Sequence, residues 1–342
     1  MLVYSVRTWP GVYYSRDVAG GVETPPLSSA LWRINTDGSH REALPMVAPR
    51  AEHPIAGPDG RWIYWQSENA GRWQIIRANS DGREAQVIAP GAGLANCWSS
   101  AFGAQLSRNG SRMVYTVSNG STGRIVLAGA DGRDARVLAP EFGYTYMASL
   151  DTNATRVVFS GPARDYRLLV MAVDQDEPGV LTPDHPDCYG PQFTPDGRTI
   201  VFIRRDGGLY SVAPDGSGLR QIAGGVQVEF FLSPADKHGS TDMPALSPDG
   251  TRVAFIRRGP AGPPQVAVVN LDGTNLRMIT RLPGTCGRPA WSPDGNILAF
   301  VSFVDDRPQL FTVSATGEGA DAPRPLTQEN GAVYAFCWIS EH

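Results

Sequence analysis

Short apolar segments, each preceded by the same turn signal, recur along the chain. A Pro-Asp-Gly triplet ends at Gly60, Gly197, Gly250 and Gly295, and a run dominated by apolar residues follows each copy. Proline at the second position of a turn and glycine at the fourth favour a tight connection between two antiparallel strands. The pattern therefore predicts many short β-strands joined by turns, and the 38 glycines and 28 prolines agree with it.

A second turn and two degenerate copies complete the repeat. Residues 107–110 and 150–153 occupy the places of two further turns, and an Asp-Gly pair such as Asp272-Gly273 follows later in most units. Asp-Gly between two apolar runs is a strong hairpin signal. Each unit is therefore predicted to hold four strands, A to D. Because one four-stranded sheet cannot bury both of its faces, the sheets are expected to stack around an axis as the blades of a β-propeller.

The two ends of the chain predict how the ring closes. Residues 332–338 resemble a strand A, with Trp338 in the place of Trp291, and three apolar runs at the start of the chain supply strands B, C and D. We therefore predict an all-β fold, a seven-bladed β-propeller of four-stranded antiparallel blades closed by the N- and C-terminal strands in one blade. Residues 1–342 are expected to form a single domain, with blade 7 built from about 332–342 plus 1–45 and blades 1–6 over about 50–330.

Charge and hydropathy narrow the range of partners. The chain has 30 basic and 34 acidic residues, a net charge of −4, whereas a nucleic-acid binder usually has a basic excess. No segment approaches the roughly 18 consecutive apolar residues that a membrane span needs. The N-terminus lacks a basic region followed by an apolar run, so we expect a cytoplasmic protein as the sequence stands, and an exported one if a leader was removed. A monomer without nucleic-acid or membrane partners is expected.

Three features of the repeat carry a family resemblance. Trp-Ser-Pro-Asp-Gly at 291–295, the apolar strand that follows and the Leu-Thr ending at Leu326-Thr327 resemble the repeat of TolB-like β-propellers. The resemblance covers nearly the whole chain and concerns the propeller portion only. It implies a scaffold shared by TolB, peptidase propellers and some polysaccharide lyases, and it leaves the activity open. The sequence contains no Gly-x-Ser-x-Gly nucleophile elbow, so a serine hydrolase is excluded.

The irregular connections indicate where a site would lie. In a propeller the D–A and B–C connections share one face of the ring, here called the funnel face, while the A–B and C–D turns share the other, the turn face. Because connecting loops carry most binding sites, we expect residues at the start of the inner strands to line a central funnel. The predicted catalytic residues are His53, His238 and Tyr146. The predicted ligand-binding residues are Arg288, Asp242, Trp98, Tyr189, Arg258 and Tyr334.

The register against the repeat places some of these residues at similar depth. His53 and Arg288 each lie five residues before the proline of their own turn, and Asp242 lies six residues before Pro248. An arginine fork fits a carboxylate and histidine transfers protons near neutral pH. These residue types favour lyase-like or isomerase-like chemistry on a small polar, anionic or carbohydrate-like ligand. The alternative is a non-catalytic, protein-docking scaffold of TolB type, and the sequence leaves open whether the chain is an enzyme.

These motifs require no cofactor, and a divalent metal stays an alternative. The candidate ligands are His53, His185 and His238, but no pair of histidines has His-x-x-x-His spacing. Oligogalacturonate lyases on similar propellers hold a metal with a histidine-rich stretch late in the chain. Here the last internal histidine is His238, so the resemblance does not carry those ligands over.

Overall fold

Antiparallel β-strands make up all the regular secondary structure of the residues that the computed structural model describes. These residues form seven four-stranded sheets and one two-stranded hairpin. Within them, no helix has the length and apolarity that a membrane crossing needs. The described residues are 1–7, 29–45, 51–69, 72–90, 104–118, 123–143, 145–161, 166–227, 229–230, 240–241, 243–259, 261–304, 307–316 and 322–340.

The strands of the first half of the chain follow the predicted order. Three strands that belong to blade 7 come first: β1 (Leu2–Arg7), β2 (Ser29–Ile34) and β3 (Glu42–Ala43). Blade 1 holds β4 (Ala51–Ala56), β5 (Trp62–Asn69), β6 (Arg72–Asn79) and β7 (Gln86–Pro90). Blade 2 holds β8 (Gln105–Leu106), β9 (Arg112–Ser118), β10 (Gly123–Gly129) and β11 (Arg136–Val137). Blade 3 holds β12 (Tyr146–Leu150), β13 (Arg156–Gly161), β14 (Arg167–Ala172) and β15 (Gly179–Val180).

The second half repeats the arrangement and adds one hairpin in the D–A connection after blade 4. Blade 4 holds β16 (Cys188–Phe193), β17 (Ile200–Arg204), β18 (Gly208–Val212) and β19 (Arg220–Gly224). The hairpin is β20 (Glu229–Phe230) and β21 (Ser240–Thr241). Blade 5 holds β22 (Ala245–Leu246), β23 (Arg252–Arg257), β24 (Gln265–Asn270) and β25 (Arg277–Met278). Blade 6 holds β26 (Cys286–Trp291), β27 (Ile297–Val304), β28 (Arg307–Ser314) and β29 (Arg324–Pro325), and the last strand is β30 (Ala332–Trp338).

The last strand closes the ring, and this confirms the predicted closure. β30 pairs antiparallel with β1, so that Trp338 lies opposite Leu2 and Ala332 lies opposite Arg7. The sheet order β3-β2-β1-β30 makes one blade from both ends of the chain. Strand β30 also packs against strands of blades 6 and 1, so blade 7 joins its two neighbours.

The Ser-Pro-Asp-Gly signal supplies its own hydrogen-bond partners. In the turn at residues 292–295, Ser292 Oγ donates to Asp294 Oδ1 at 2.5 Å and accepts the amide of Ile297 at 2.9 Å. Gly295 has a φ of 72° and its amide donates to the Ser292 carbonyl at 2.9 Å. The hydrogen bond from Ser292 lowers the pKa of Asp294. The carboxylate of this turn therefore has a structural role, and the turn is readable from sequence because it forms locally.

The Leu-Thr ending ties the outer strand and the D–A connection to strand C. In blade 6 the Thr327 hydroxyl donates to Gln309 Oε1 at 2.9 Å, and Gln309 Nε2 donates to the Glu329 carbonyl at 3.1 Å. In blade 5, Thr280 donates to Gln265 in the same way at 2.9 Å. These buried networks hold the connections that build the funnel face.

The hydrophobic core lies between neighbouring blades. Successive side chains of a strand point to opposite faces of its sheet, so each blade buries one face against each neighbour. Between blades 5 and 6, Val268 packs in one cluster with Phe300 and Phe311, whose ring centroids are 5.7 Å apart. This stacking leaves the ends of the inner strands free to surround the axis of the ring.

Candidate functional site

Four of the described inner strands bend at a β-bulge near the funnel face. The bulges interrupt the pairing of β4, β12, β16 and β26 with the next strand of each blade. In each bulge one residue has a φ between 51° and 60°, and these residues are His53, Met147, Gly190 and Arg288. His53, Gly190 and Arg288 lie five residues before the proline of their own turns. Met147 lies five residues before Thr152, because the turn of blade 3 spans 151–154, one residue later than predicted. A bulge re-aims side chains, and positive φ is uncommon outside glycine, so this register position is a built feature of the repeat.

The bulges of β4 and β26 border a central cavity of about 720 Å³. His53 is 6% exposed and Arg288 is 9% exposed, and both line this cavity. The structure thus brings these two predicted residues together, although they lie in blades 1 and 6. The volume falls within the range of about 300–1,000 Å³ that small-molecule sites occupy. The described polar side chains of the lining are His53, Gln105, Arg108, Gln192, Arg288 and Ser340.

The described lining of the cavity combines polar and apolar residues. Arg288 and His53 come from the two blades that flank blade 7, where the small residue Ala335 lines the wall. Across the ring, Met243 of blade 5 lies against Gly190 of blade 4. A Cβ on Gly190 would lie 1.7 Å from the methyl carbon of Met243, so this close approach requires glycine.

An arginine occupies the turn-face end of the cavity. Arg108 takes the place of the turn proline in blade 2, and its Nη1 donates to the Pro248 carbonyl at 3.2 Å. Because Pro248 belongs to blade 5, which is not a neighbour of blade 2, the side chain reaches across the axis of the ring. Burial lowers the pKa of Arg108. Sequence reasoning missed this residue because it treated the turn face as structural; the signal was an arginine in the degenerate turn at 107–110.

The electrostatics of the cavity favour anions. The ionisable side chains among its described lining residues are His53, Arg108 and Arg288, and all three are basic. Clefts lined by one sign of charge concentrate counter-charged ligands, and arginine forms strong hydrogen bonds to oxyanions. Gln192 adds a polar group whose Nε2 already donates to the Pro244 carbonyl at 2.6 Å.

Two other predicted ligand-binding residues lie away from this cavity. Tyr189 is buried between blades, its ring centroid 5.4 Å from that of Tyr166, and its hydroxyl donates to Asp187 Oδ1 at 3.2 Å. Burial raises the pKa of Tyr189 to about 12. Arg258 is exposed on the funnel face, and its Nε donates to Gln227 Oε1 at 3.0 Å. Neither side chain is part of the described cavity lining.

Five predicted residues are placed only partly or not at all. The backbones of Tyr146 and Tyr334 belong to the inner strands β12 and β30, but their side chains are not described. Trp98, His238 and Asp242 lie outside the described residues.

The described histidines do not gather at one point. His185 is half-buried in the D–A connection before blade 4, where its carbonyl accepts a hydrogen bond from Cys188 Sγ at 3.2 Å. His53, by contrast, lines the central cavity. Across the described ranges, no cluster of three or more His, Cys, Asp or Glu side chains has the geometry to hold a metal ion.

Part of the chain matches a known protein family. Residues 232–335 match the family described as the TolB beta propeller domain. A Tol-Pal system protein TolB from Actinobacillus succinogenes is 40% identical over 60 residues, which are 18% of this chain and 14% of that protein. The chain therefore matches well under two thirds of the length of this curated relative.

Two solved structures share the architecture. TolB from Acinetobacter baumannii has a TM-score of 0.53 at 16% identity, over 92% of this chain and 79% of that chain. An oligogalacturonate lyase in complex with manganese has a TM-score of 0.57 at 16% identity, over 76% of this chain and 73% of that chain. At such identities the solved structures establish the fold alone. The Pro-Asp-Gly repeat and the ring of seven blades identify the chain as a β-propeller protein, whose residues 232–335 match the TolB beta propeller domain.

Proposed function

We propose that this propeller binds a small anionic ligand in its central cavity. The observation that carries the proposal is that the described lining holds two arginines, Arg108 and Arg288, and His53, and none of its described side chains is acidic. Two of them are almost fully buried, so a bound oxyanion would meet them in a setting of low dielectric constant, where charge-assisted hydrogen bonds are strong.

A carboxylated sugar fits a cavity that offers basic side chains together with apolar walls. Its carboxylate would lie between Arg288 and His53, and its ring would lie toward Met243. Similarity in fold to an oligogalacturonate lyase supports acidic saccharides as the ligand class to test first.

His53 is the residue that we propose to move a proton in lyase-like or isomerase-like chemistry. Removal of the proton next to a carboxylate leaves negative charge on the carboxylate oxygens, and a guanidinium such as that of Arg288 stabilises this charge. His238 and Tyr146, the other predicted catalytic residues, remain predictions. A divalent metal stays an alternative, with His53, His185 and His238 as the candidate ligands that the sequence offers.

The second candidate function is protein docking on the funnel face. The sequence similarity to a Tol-Pal system protein favours it. The same cavity also has half-buried aromatic walls at Phe336 and Trp338, which suit an inserted peptide side chain.

Calorimetric titration with digalacturonate and with its methyl ester tests the proposal. The acid should bind and the ester should bind at least about tenfold more weakly, because the ester lacks the charge that Arg288 would pair with. Arg288→Gln should weaken binding of the acid to the same degree, while Arg61→Ala, an exposed residue on the turn face, should not. His53→Asn should abolish formation of an unsaturated, ultraviolet-absorbing product and should also weaken binding of the acid, because His53 lines the proposed position of the carboxylate.

The same experiment separates the two candidates. If neither the acid nor the ester binds, or if Arg288→Gln binds as the wild type does, the anion site is wrong. A partner protein captured through the funnel face would then support docking.

A further inference from the structure

A second cavity, of about 550 Å³, opens on the turn face between blades 1 and 2. Its walls are the A–B turns of both blades and the C–D turn of blade 2, which contributes Ala130 and Asp131. Trp62, Tyr64 and Arg77 of blade 1 form the inner surface. This blade 1/2 pocket meets the central cavity at Pro58 and Arg108, but its inner surface lies outside that cavity.

At two other blade junctions an arginine fills the corresponding space. Arg252, four residues after the turn proline of blade 5, lies with its guanidinium carbon 4.6 Å from the ring centre of Trp291 and donates to the Gly295 carbonyl at 3.1 Å. The guanidinium carbon of Arg156 in blade 3 likewise lies 5.3 Å from the ring centre of Phe193, and this arginine donates to the Gly197 carbonyl at 2.8 Å. These arginines clamp each blade to the next turn.

The blade 1/2 junction lacks this clamp. Trp62 stands at the position of Arg156 and Arg252. Gly110 corresponds to the glycines that accept their hydrogen bonds, and a Cβ built on Gly110 would meet only Pro58 within 4 Å. The space that an arginine fills elsewhere is therefore part of the pocket.

A second departure from the repeat lies next to the first. Arg77 pairs with Tyr64 across β5 and β6, and its guanidinium carbon lies 4.2 Å from the ring centre of Trp62. In blades 2, 4 and 5 the same register position pairs small or apolar residues. Those pairs are Leu127 with Val114, Ser211 with Val201 and Val268 with Ala254. Blade 1 thus places a cation and a phenol where these blades place core residues.

Burial raises the pKa of the Tyr64 hydroxyl, and Arg77 opposes that rise through its charge and a hydrogen bond. The carboxylates of Asp59 and Asp131 raise the pKa of Tyr64 as burial does, and both residues line the same pocket.

An arginine at the register position of Arg77 also occurs in blade 7, where Arg33 lies opposite Val3 and pairs with Glu42. In blade 1, Arg77 and Trp62 border the same cavity, and departures from local rules are expected at functional sites.

The charges of the pocket define its ligand. Arg77 and Arg108 present guanidinium groups, while Asp59 and Asp131 present carboxylates. We propose that the blade 1/2 pocket binds a free α-amino acid, whose carboxylate pairs with Arg77 and Arg108 and whose ammonium group pairs with Asp59 and Asp131. A planar side chain on that amino acid packs against the aromatic wall of Trp62 and Tyr64. The pocket volume is within the range of about 300–1,000 Å³ for small-molecule sites.

Titration calorimetry with three forms of one compound tests this proposal. L-Phenylalanine should bind, and its methyl ester and its N-acetyl derivative should each bind at least about tenfold more weakly, since each lacks one of the two charges. Arg77→Gln should weaken binding of phenylalanine by a similar factor. The matched control is Arg156→Gln, which removes an aromatic-stacked arginine from a junction where it fills its own slot, and it should bind phenylalanine as the wild type does.

The double variant Trp62→Arg/Arg77→Val rebuilds the pattern of blade 5 at this junction. It should keep the wild-type circular dichroism spectrum and lose phenylalanine binding, which keeps the test decisive even if Arg77→Gln folds poorly. Absence of binding to the wild type, equal binding of the methyl ester, or binding to the double variant would overturn the proposal. Arg288→Gln removes an anion-binding group of the central cavity alone and should leave phenylalanine binding unchanged, so failure of the anion site in the central cavity and failure of this pocket are distinguishable.

Discussion

Removal of the Glu329 carboxylate should destabilise the closing blade by a few kcal/mol. Glu329 precedes β30, and its Oε1 accepts a hydrogen bond from the Tyr4 hydroxyl at 2.8 Å. Arg41 donates to both carboxylate oxygens, from Nε at 2.7 Å and from Nη2 at 2.6 Å. The same guanidinium stacks on Trp32 at 3.8 Å. One acidic side chain near the C-terminus thus holds two residues near the N-terminus.

The magnitude follows from the exposure of each partner. The Tyr4 hydroxyl is buried, and a hydrogen bond to a charged group contributes about 1.5–3 kcal/mol. The Arg41 side chain is 40% exposed, against 10% for that of Glu329, so solvent screens this ion pair and it contributes about 0–1 kcal/mol. We therefore expect Glu329→Ala to lower the free energy of unfolding by about 2–4 kcal/mol and Glu329→Gln, which keeps an acceptor for Tyr4, by about 1–2 kcal/mol.

Urea unfolding followed by tryptophan fluorescence measures this change as a shift in midpoint at constant slope. The control is Glu42→Ala in the same blade, because Glu42 is 51% exposed and pairs with Arg33 at the surface. That variant should lower the free energy of unfolding by about 0–1 kcal/mol. A Glu329→Ala protein within about 0.5 kcal/mol of wild type, or one no less stable than Glu42→Ala, would refute the reasoning.

Three further predictions concern the ring and its turns. Deletion of residues 331–342 removes β30 with the buried side chains of Val333 and Ile339 and should cost more than about 4 kcal/mol in a urea melt; an unchanged midpoint would contradict closure through β30. Gly132→Ala should cost at least about 2 kcal/mol more than Gly38→Ala, because both glycines have a φ near +85° but only at Gly132 would a Cβ meet a backbone oxygen, at 2.1 Å; equal losses would disprove the steric argument. The hydrogen bond from Ser292 lowers the pKa of Asp294 in the folded protein. The stabilisation by Asp294 is therefore present above the unfolded pKa of about 3.9 and is lost as pH falls through the folded pKa. Asp294→Asn should reduce the dependence of the free energy of unfolding on pH between pH 5 and the acid transition, and an unchanged acid profile would count against this assignment.

The architecture was predictable because its signals are local. The residues of a Ser-Pro-Asp-Gly turn form hydrogen bonds with one another, as Ser292 and Asp294 do. Such a turn does not depend on tertiary contacts, and it marks the start of a strand. The pairing of β30 with β1 follows from counting such units, since a ring with one incomplete blade at each end closes only by joining them.

Part of the candidate site was predictable from register, and the error at Tyr189 has the same origin. His53 and Arg288 lie five residues before the proline of their turns and line the cavity. Tyr189 lies six residues before its proline, and since successive side chains of a strand alternate, its ring enters the interface between blades. Arg108 was not found because a proline position in a turn carries no expectation of a side chain that crosses the axis.

Departures from the repeat, rather than the repeat itself, locate chemistry in this chain. The Ser-Pro-Asp-Gly turn at 292–295 and the Leu-Thr ending of blade 6 direct their hydrogen bonds within their own blade. Arg108 in place of proline and Arg77 in place of a core residue each add a guanidinium that the blade does not need. Arg108 is exposed and Arg77 is half-buried, and each lines a cavity. Guanidinium groups form strong hydrogen bonds to oxyanions, so these two cavity walls are where the anionic group of a ligand should be sought, whichever ligand carries it.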